Sequence, residues 1–292
     1  MGVIGKSGSF MKNSLKKLTV ILTLAACALS AQAGKITIKG SDTLLTLAQK
    51  WAEIYMGAHS ETKISVLGGG SGIGFAALQG QQTDLANASR KIKSTEIEAC
   101  IKAFGKRPTE YKVCLDGLTV YVNQENPVKE LTLEQLEGIF TGKIKNWKEV
   151  GGNDAAITVY SRENSSGTYE FFKEHVLKGK DFVASAQTMQ GTSQVVQGVE
   201  NDAKAIGYGG ASYAAKTRAL GIKKDSSSPA IAPTEENVVK GTYPIWRYLF
   251  VYVNPSQDKG EIASYLTWIR SDEGQKVVKQ EGYYPLPEAL RK

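Results

Sequence analysis

The chain has 292 residues, of which 41% are hydrophobic and 22% are charged, with 30 glycines and 8 prolines. This composition excludes a disordered tail, a collagen repeat and a small disulfide-rich domain, and the length suggests two domains or lobes. The formal net charge is +7, and four of the lysines lie in the first 33 residues, which contain no acidic residue. The remaining residues therefore carry a net charge of +3. We therefore expect no nucleic-acid partner, and the two histidines and three cysteines, without HExxH or paired CxxC motifs, indicate no metal site and no cofactor.

Residues 1–33 are predicted to be a signal peptide. Three lysines precede an apolar stretch over residues 18–29, and Ala31-Gln32-Ala33 supplies a small-x-small cleavage pattern before Gly34. A transmembrane anchor is the weaker alternative, because a span needs about 20 apolar residues. A second alternative is lipid modification at Cys27, because the residues before it resemble a lipobox. We expect an exported, periplasmic protein that begins near Gly34.

From Gly34 onward, strand and helix patterns alternate. Alternation of apolar and polar residues, or short apolar runs, predicts strands at 35–39, 63–67, 83–88, 118–122 and 157–160. Amphipathic helices are predicted after three of these strands, beginning near residues 43, 72 and 168. Repeated strand-turn-helix units predict an α/β fold whose parallel sheets are covered by helices.

Three of these helices begin with hydroxyl residues directly after a strand, at Ser41, Ser71 and Ser166. A helix N-terminus presents unpaired N–H groups and partial positive charge, and ligands in open α/β sheets lie at the carboxyl ends of strands. The three turns therefore predict one shared anion site, to which Arg162 would add a planar, charged fork. Taken singly, each turn also fits an ordinary N-cap.

Cys100 and Cys114 are candidates for a disulfide. Export to an oxidising compartment permits the bridge, which would close a short loop and stabilise the fold by about 3 kcal/mol. Two unpaired thiols are the alternative, because bridging also requires suitable Cβ geometry.

Several motifs together resemble a known family, the phosphate-binding periplasmic proteins of the PstS type. The resemblance covers essentially the whole chain after Gly34. The motifs that carry it are Lys39-Gly40-Ser41-Asp42-Thr43, Gly69-Gly70-Ser71-Gly72-Ile73-Gly74, Ala88-Ser89-Arg90, Ile139-Phe140-Thr141-Gly142-Lys143-Ile144-Lys145-Asn146-Trp147, Arg162-Glu163-Asn164-Ser165-Ser166-Gly167-Thr168, Ala205-Ile206-Gly207-Tyr208, Glu273-Gly274-Gln275 and Gly282-Tyr283-Tyr284-Pro285-Leu286.

The resemblance implies a two-lobed type II periplasmic-binding-protein fold with two interlobe crossings, which we place at residues 116–123 and 246–254. One lobe is then expected at 34–118 plus 249–292 and the other at 119–248. It also implies a monomeric solute receptor that binds inorganic phosphate and delivers it to an ABC transporter permease in the inner membrane. By motif position, the phosphate-binding residues would be Ser41, Asp42, Thr43, Ser71, Ser89, Arg90, Arg162, Ser166, Gly167 and Thr168.

One position departs from part of the family. Some members have an aspartate after the serine of the third motif, where it accepts the proton of hydrogen phosphate, but this chain has Arg90. Asp42 is the nearest candidate acceptor, and its alternative role is that of an N-cap. Two other functions stay open: a receptor for sulfate or molybdate, and a phosphate-processing enzyme. His59 and His175 lack a partner at motif spacing, so we expect no catalytic residue.

Overall fold

The computed structural model describes residues 1, 2 and 34–291. The predicted cleavage site and Cys27 lie outside the described residues. Within the described part, no helix has the length and apolar character needed to cross a bilayer.

Strands and helices alternate through the first half of the chain and again through the second. The strands are β1 (Lys35–Gly40), β2 (Lys63–Gly69), β3 (Leu85–Ala88), β4 (Thr109–Val122), β5 (Glu130–Thr132), β6 (Thr158–Arg162), β7 (Gln187–Met189), β8 (Ala205–Gly210), β9 (Arg218–Ala219), β10 (Gly221–Lys223) and β11 (Trp246–Val253). The α-helices are α1 (Leu45–Ala58), α2 (Ser71–Gln79), α3 (Ser94–Phe104), α4 (Leu133–Phe140), α5 (Gly167–His175), α6 (Thr192–Asn201), α7 (Glu235–Val239), α8 (Gly260–Arg270) and α9 (Asp272–Gln280). Short 3-10 helices lie at Asp42–Leu44, Trp147–Val150, Ala211–Lys216 and Glu288–Leu290.

A mixed sheet forms the centre of the fold, in the order β2-β1-β3-β11-β4-β8-β6-β7, with β9 also paired to β4. The predicted α/β fold is confirmed, and β1 pairs in parallel with β2 and β3, as β6 does with β7 and β8. The expectation of wholly parallel sheets is wrong in the middle, where β11 and β4 run antiparallel to their neighbours. These two long strands pass between the two halves of the sheet.

The hydrophobic core is divided between the two halves, which we call the first and second lobes. In the first lobe, β1–β3 and α1 bury residues such as Ile36, Leu47 and Trp51. In the second lobe, α4, α5 and β8 bury Phe140 and Phe172 with their neighbours. Strand β4 pairs with β11 over residues 109–117 and with β8 over residues 118–122, so it joins the lobes. The lobe boundaries stay a prediction.

The expected disulfide does not form, because Cys100 and Cys114 are both buried free thiols. Cys100 on α3 packs with Phe250, whereas Cys114 on β4 packs with Leu249. Consecutive residues of a strand point to opposite faces of a sheet, so the two thiols lie on opposite sides of β11. Burial is the main reason that the pKa of Cys100 rises to about 11 and that of Cys114 rises well above its usual value.

Candidate functional site

Three helical N-termini meet where the two lobes face each other. The 3-10 helix at Asp42–Leu44 follows β1, α2 begins at Ser71 directly after β2, and α5 begins at Gly167 shortly after β6. Gly70 precedes α2 with a φ of 93°, a conformation that L side chains rarely adopt, and its amide donates to Gly40 O at 2.9 Å. The predicted turns therefore lie at one place, and the helix that follows each turn begins there.

Four buried hydroxyl side chains lie together at this point: Thr43, Ser71, Ser89 and Thr168, which we call the hydroxyl cluster. The Oγ1 atoms of Thr43 and Thr168 are 2.8 Å apart, and Ser89 Oγ lies 3.3 Å from both Ser71 Oγ and Thr168 Oγ1. Each residue is at most 1% exposed. Ser41, in the first turn, is also buried, and its Oγ has no hydrogen-bond partner among the described residues. Hydroxyls from both lobes thus converge in a site from which water is excluded.

Gly167 allows the lobes to approach this closely. A Cβ atom at this position would lie 2.8 Å from Ser89 Oγ and closer still to Ser71 Oγ, both across the interface between the lobes. A second contact across the interface joins Gly72 N to Ser165 O at 2.9 Å. The N-termini of α2 and α5 are therefore in direct contact.

Arg247 is the site residue that the sequence analysis missed. Its guanidinium is buried and donates to Thr168 Oγ1 and to Ser89 O, both at 3.0 Å, so it contacts one cluster residue from each lobe. It also donates through Nε and Nη2 to Asp116 Oδ2, at 3.0 and 2.8 Å, and Asp116 is itself buried. One signal was available: each predicted crossing, 116–123 and 246–254, contains a single charged residue, and charged residues are rarely buried unless they are paired.

Arg162, the expected anion fork, donates to neighbouring protein groups in this structure. Its Nη2 donates to Asp42 Oδ2 at 2.6 Å and to Gln190 O at 2.8 Å, and its Nη1 donates to Thr192 Oγ1 at 2.9 Å. Asp42 Oδ1 accepts from Gly69 N at 2.8 Å, and Asp42 is the first residue of the 3-10 helix, whose N-cap is Ser41. Asp42 and Arg162 therefore form an ion pair that joins the lobes beside the cluster.

Arg90 and Ser166 are positioned for other contacts. The Arg90 guanidinium donates to Glu96 at 2.7 and 2.8 Å, and its Nε forms an ion pair with Glu170 at 2.6 Å without hydrogen-bond geometry. The structure therefore does not bring the Arg90 side chain to the hydroxyl cluster, although the sequence analysis placed it there. Ser166 Oγ accepts from Tyr169 N at 3.3 Å, which makes it the N-cap of α5.

Two tyrosines hold the first turn from behind. Tyr213 OH donates to Asp42 O at 2.9 Å, and Tyr283 OH donates to Thr43 O. Burial is the main cause that raises the pKa of both phenols, so both stay protonated donors at neutral pH. The carbonyls of Asp42 and Thr43 are thereby engaged, and the Thr43 hydroxyl contacts Thr168 in the cluster.

The arrangement favours an anion of compact shape. Helix N-termini and hydroxyls supply neutral donors, and the two guanidiniums nearby are each paired with one carboxylate, so an oxyanion would meet donors from several directions. Among the described residues, no group of three or more His, Cys, Asp or Glu side chains is placed to hold a metal ion.

Comparisons with known proteins point to the same class. A PBP superfamily domain matches residues 26–273. The chain is 34% identical over 274 residues to "Phosphate-binding protein PstS" of Pseudomonas aeruginosa, which covers 88% of this chain and 85% of the relative. It is 33% identical to the protein of the same name in Staphylococcus aureus, with coverage of 87% and 79%. A solved structure of a putative phosphate ABC transporter substrate-binding protein from Clostridium perfringens, with bound phosphate, has a TM-score of 0.80 and 30% identity and covers 87% of this chain and all of that one.

Proposed function

This chain belongs to the PBP superfamily and, within it, to the PstS-type phosphate-binding proteins, and we propose that it binds inorganic phosphate between its lobes. It would act as an extracytoplasmic receptor that delivers phosphate to an ABC importer. The observation that carries the proposal is the hydroxyl cluster, in which contacts of 3.3 Å or less connect four buried hydroxyl oxygens from both lobes next to three helix N-termini.

The proposed phosphate ligands are the four residues of the hydroxyl cluster, together with Ser41, Gly167 and Arg247. Ser41 contributes the buried hydroxyl that lacks a partner, and Gly167 contributes the first N–H of α5. Arg247 supplies the only guanidinium among the described residues that contacts Thr168 and Ser89 directly. Asp42, Arg162 and Ser166 position these groups, and Arg90 holds the lobes together through Glu170.

Lobe closure accompanies binding in this proposal. Residues 34–118 plus 249–292 would form one lobe and 119–248 the other, and an anion that needs donors from both favours the closed state. The closed, monomeric receptor would then dock on a permease in the inner membrane, after export to the periplasm and removal of the signal peptide.

Isothermal titration calorimetry of ligand-stripped protein with phosphate, sulfate and molybdate tests the proposal. Phosphate should bind at one site per chain and much more tightly than the other two anions. A heat of binding with sulfate or molybdate but none with phosphate would assign the site to that other oxyanion. The comparison is necessary because a site made mainly of hydrogen-bond donors suits any of these anions.

A phosphate-processing enzyme is the second candidate that the experiment must separate. His59 stacks on Tyr55 at 4.0 Å and His175 on Phe171 at 3.9 Å, and each ring nitrogen Nδ1 contacts a backbone carbonyl of its own helix. Neither imidazole contacts a hydroxyl of the cluster. We propose that the protein is not an enzyme, and steady release of phosphate from a phosphomonoester by pure protein would contradict this.

A further inference from the structure

A cavity of about 390 Å³ lies beside the phosphate site, between the segment that follows β3, the helix α5 and the strand β11. Its volume falls in the range of small-molecule sites, about 300 to 1,000 Å³. Both lobes contribute walls, because Arg90 and Lys93 come from the first lobe and Glu170 and Phe171 from the second. The two walls are tied by the ion pairs of Glu170 with Arg90 and Lys93, at 2.6 and 2.8 Å.

The floor of the cavity is aromatic. Trp246, Tyr248 and Phe250 are alternate residues of β11 and therefore point to the same face, with ring centroids 5.5 and 6.5 Å apart along the series. Phe171 forms a further wall from α5. Flat ring surfaces of this kind bind planar aromatic molecules by stacking and edge contacts.

Cations predominate among the side chains that line the cavity. Arg90, Lys91, Lys93 and Arg247 face two acids, Glu170 and Glu174. The carboxylates of Glu96 and Asp116, which neutralise Arg90 and Arg247, do not line the cavity, so a ligand inside it lies nearer to the cations. Lys91 is exposed and is free to meet an acidic group at the opening.

The cavity and the phosphate site share two parts of the structure. The guanidinium of Arg247 lies over the ring of Phe171 at 5.3 Å while it donates to Thr168 and Ser89. Helix α5 lines the cavity with its later residues, and its first residues form part of the phosphate site. A ligand that stabilises one arrangement of these groups therefore affects both sites.

We propose that this cavity binds a planar aromatic anion and that such a ligand raises the affinity of the phosphate site. The second half of the proposal rests on the proposed function. Only the closed lobes complete the cavity, so a ligand in it favours closure, and phosphate must raise the affinity of the cavity by the same factor.

Fluorescence titration with 8-anilinonaphthalene-1-sulfonate, a planar aromatic sulfonate, tests the cavity on the purified protein. We expect one probe molecule per chain, at least tenfold weaker binding for Trp246→Ala, and about threefold weaker binding for Lys91→Glu, which alters only an exposed side chain. Trp268→Ala is the matched control, because Trp268 is a half-buried tryptophan on α8 that lines a separate cavity and not this one. The proposal is overturned if Trp246→Ala and Lys91→Glu bind the probe with the same affinity as the control Trp268→Ala.

Repeating the titration in saturating phosphate tests the coupling. We expect the dissociation constant of the probe to fall at least threefold, and calorimetry should show the reciprocal gain for phosphate. An unchanged constant overturns the coupling. If calorimetry shows no heat of phosphate binding, the proposed function is overturned instead. The comparison of Trp246→Ala with Trp268→Ala in phosphate-free buffer still decides whether the cavity binds the probe.

Discussion

Gly167→Ala should block lobe closure while leaving each lobe folded. The added Cβ would lie 2.8 Å from Ser89 Oγ and closer to Ser71 Oγ, whereas ordinary contacts of a Cβ atom begin near 3.4 Å. Gly167 has no positive φ and is the first residue of α5, so alanine is compatible with the local backbone. The strain therefore exists only when the lobes meet.

The expected magnitude follows from the contacts that separation removes. Moving the lobes apart by more than half an ångström weakens the Thr43–Thr168 and Thr168–Ser89 hydrogen bonds and the one from Gly72 N to Ser165 O. At about 0.5 to 1.5 kcal/mol for each of the three, the loss is about 1.5 to 4.5 kcal/mol. Phosphate should therefore bind about 10- to 2,000-fold more weakly.

Calorimetry measures the affinity, and small-angle scattering should show that phosphate no longer compacts the variant. Gly57→Ala is the matched control, since Gly57 lies in helix α1 and its added Cβ would meet nothing within 4 Å. Melting without phosphate should show both variants at least as stable as wild type. A Gly167→Ala affinity within twofold of the control would refute the closed geometry as the binding state.

Three further changes test other parts of the structure. Arg247→Met should abolish measurable phosphate binding and lower the free energy of unfolding by about 3 to 5 kcal/mol, because Asp116 is left buried without its partner. Urea unfolding measures this loss, and recovery in the double variant with Asp116→Asn would attribute it to the unpaired carboxylate. Glu137→Gln should lower the free energy of unfolding by about 1 kcal/mol near neutral pH, since Lys180 and Lys178 hold the pKa of Glu137 at about 2 and these lysines are largely exposed. The difference in unfolding free energy from wild type should disappear as the pH falls from about 4.5 to 2, because a carboxyl with a lowered pKa loses its stabilisation on protonation. A difference that stays constant over this pH range would contradict the ion pairs. Dithiothreitol should leave the melting temperature unchanged, since Cys100 and Cys114 are free thiols, whereas a fall of about 5 °C or more would reveal a disulfide.

The hydroxyl turns could be predicted from the sequence because each is a local pattern. A strand, a glycine or hydroxyl residue and an amphipathic helix lie within about 15 residues, and parallel strands bring their carboxyl ends to one edge. Ser71 and Thr168 both contact Ser89 Oγ at 3.3 Å, although they come from different lobes. Thr43 and Ser89 were placed by motif resemblance, and both belong to the hydroxyl cluster.

The roles of the arginines could not be predicted in this way, because a long charged side chain is positioned by its partners. Arg247 pairs with Asp116 across 131 positions, and Arg90 is drawn to Glu170, which lies on the opposite lobe. No spacing in the chain encodes either pairing. The same limit applies to Cys100 and Cys114, whose short separation suggested a bridge although the sheet lies between them.

Selectivity is the property in which the structure changes the expectation most. Discrimination of hydrogen phosphate from sulfate requires an acceptor for the proton that sulfate lacks. Asp42 was the candidate by motif, but its two carboxylate oxygens already accept from Gly69 N and from Arg162, at 2.8 and 2.6 Å. Each carboxylate oxygen keeps a second lone pair, so these contacts do not block a ligand proton, but they give Asp42 a separate role in joining the lobes.

Asp42→Asn separates these two roles. The loss of a partly buried ion pair between the lobes should weaken phosphate and sulfate binding alike, by about tenfold, since closure is disfavoured for either anion. The ratio of the two affinities should stay within twofold of wild type in competition titrations. A variant that gains sulfate relative to phosphate by tenfold or more would instead make Asp42 the acceptor, because an asparagine amide can donate to sulfate where a carboxylate cannot.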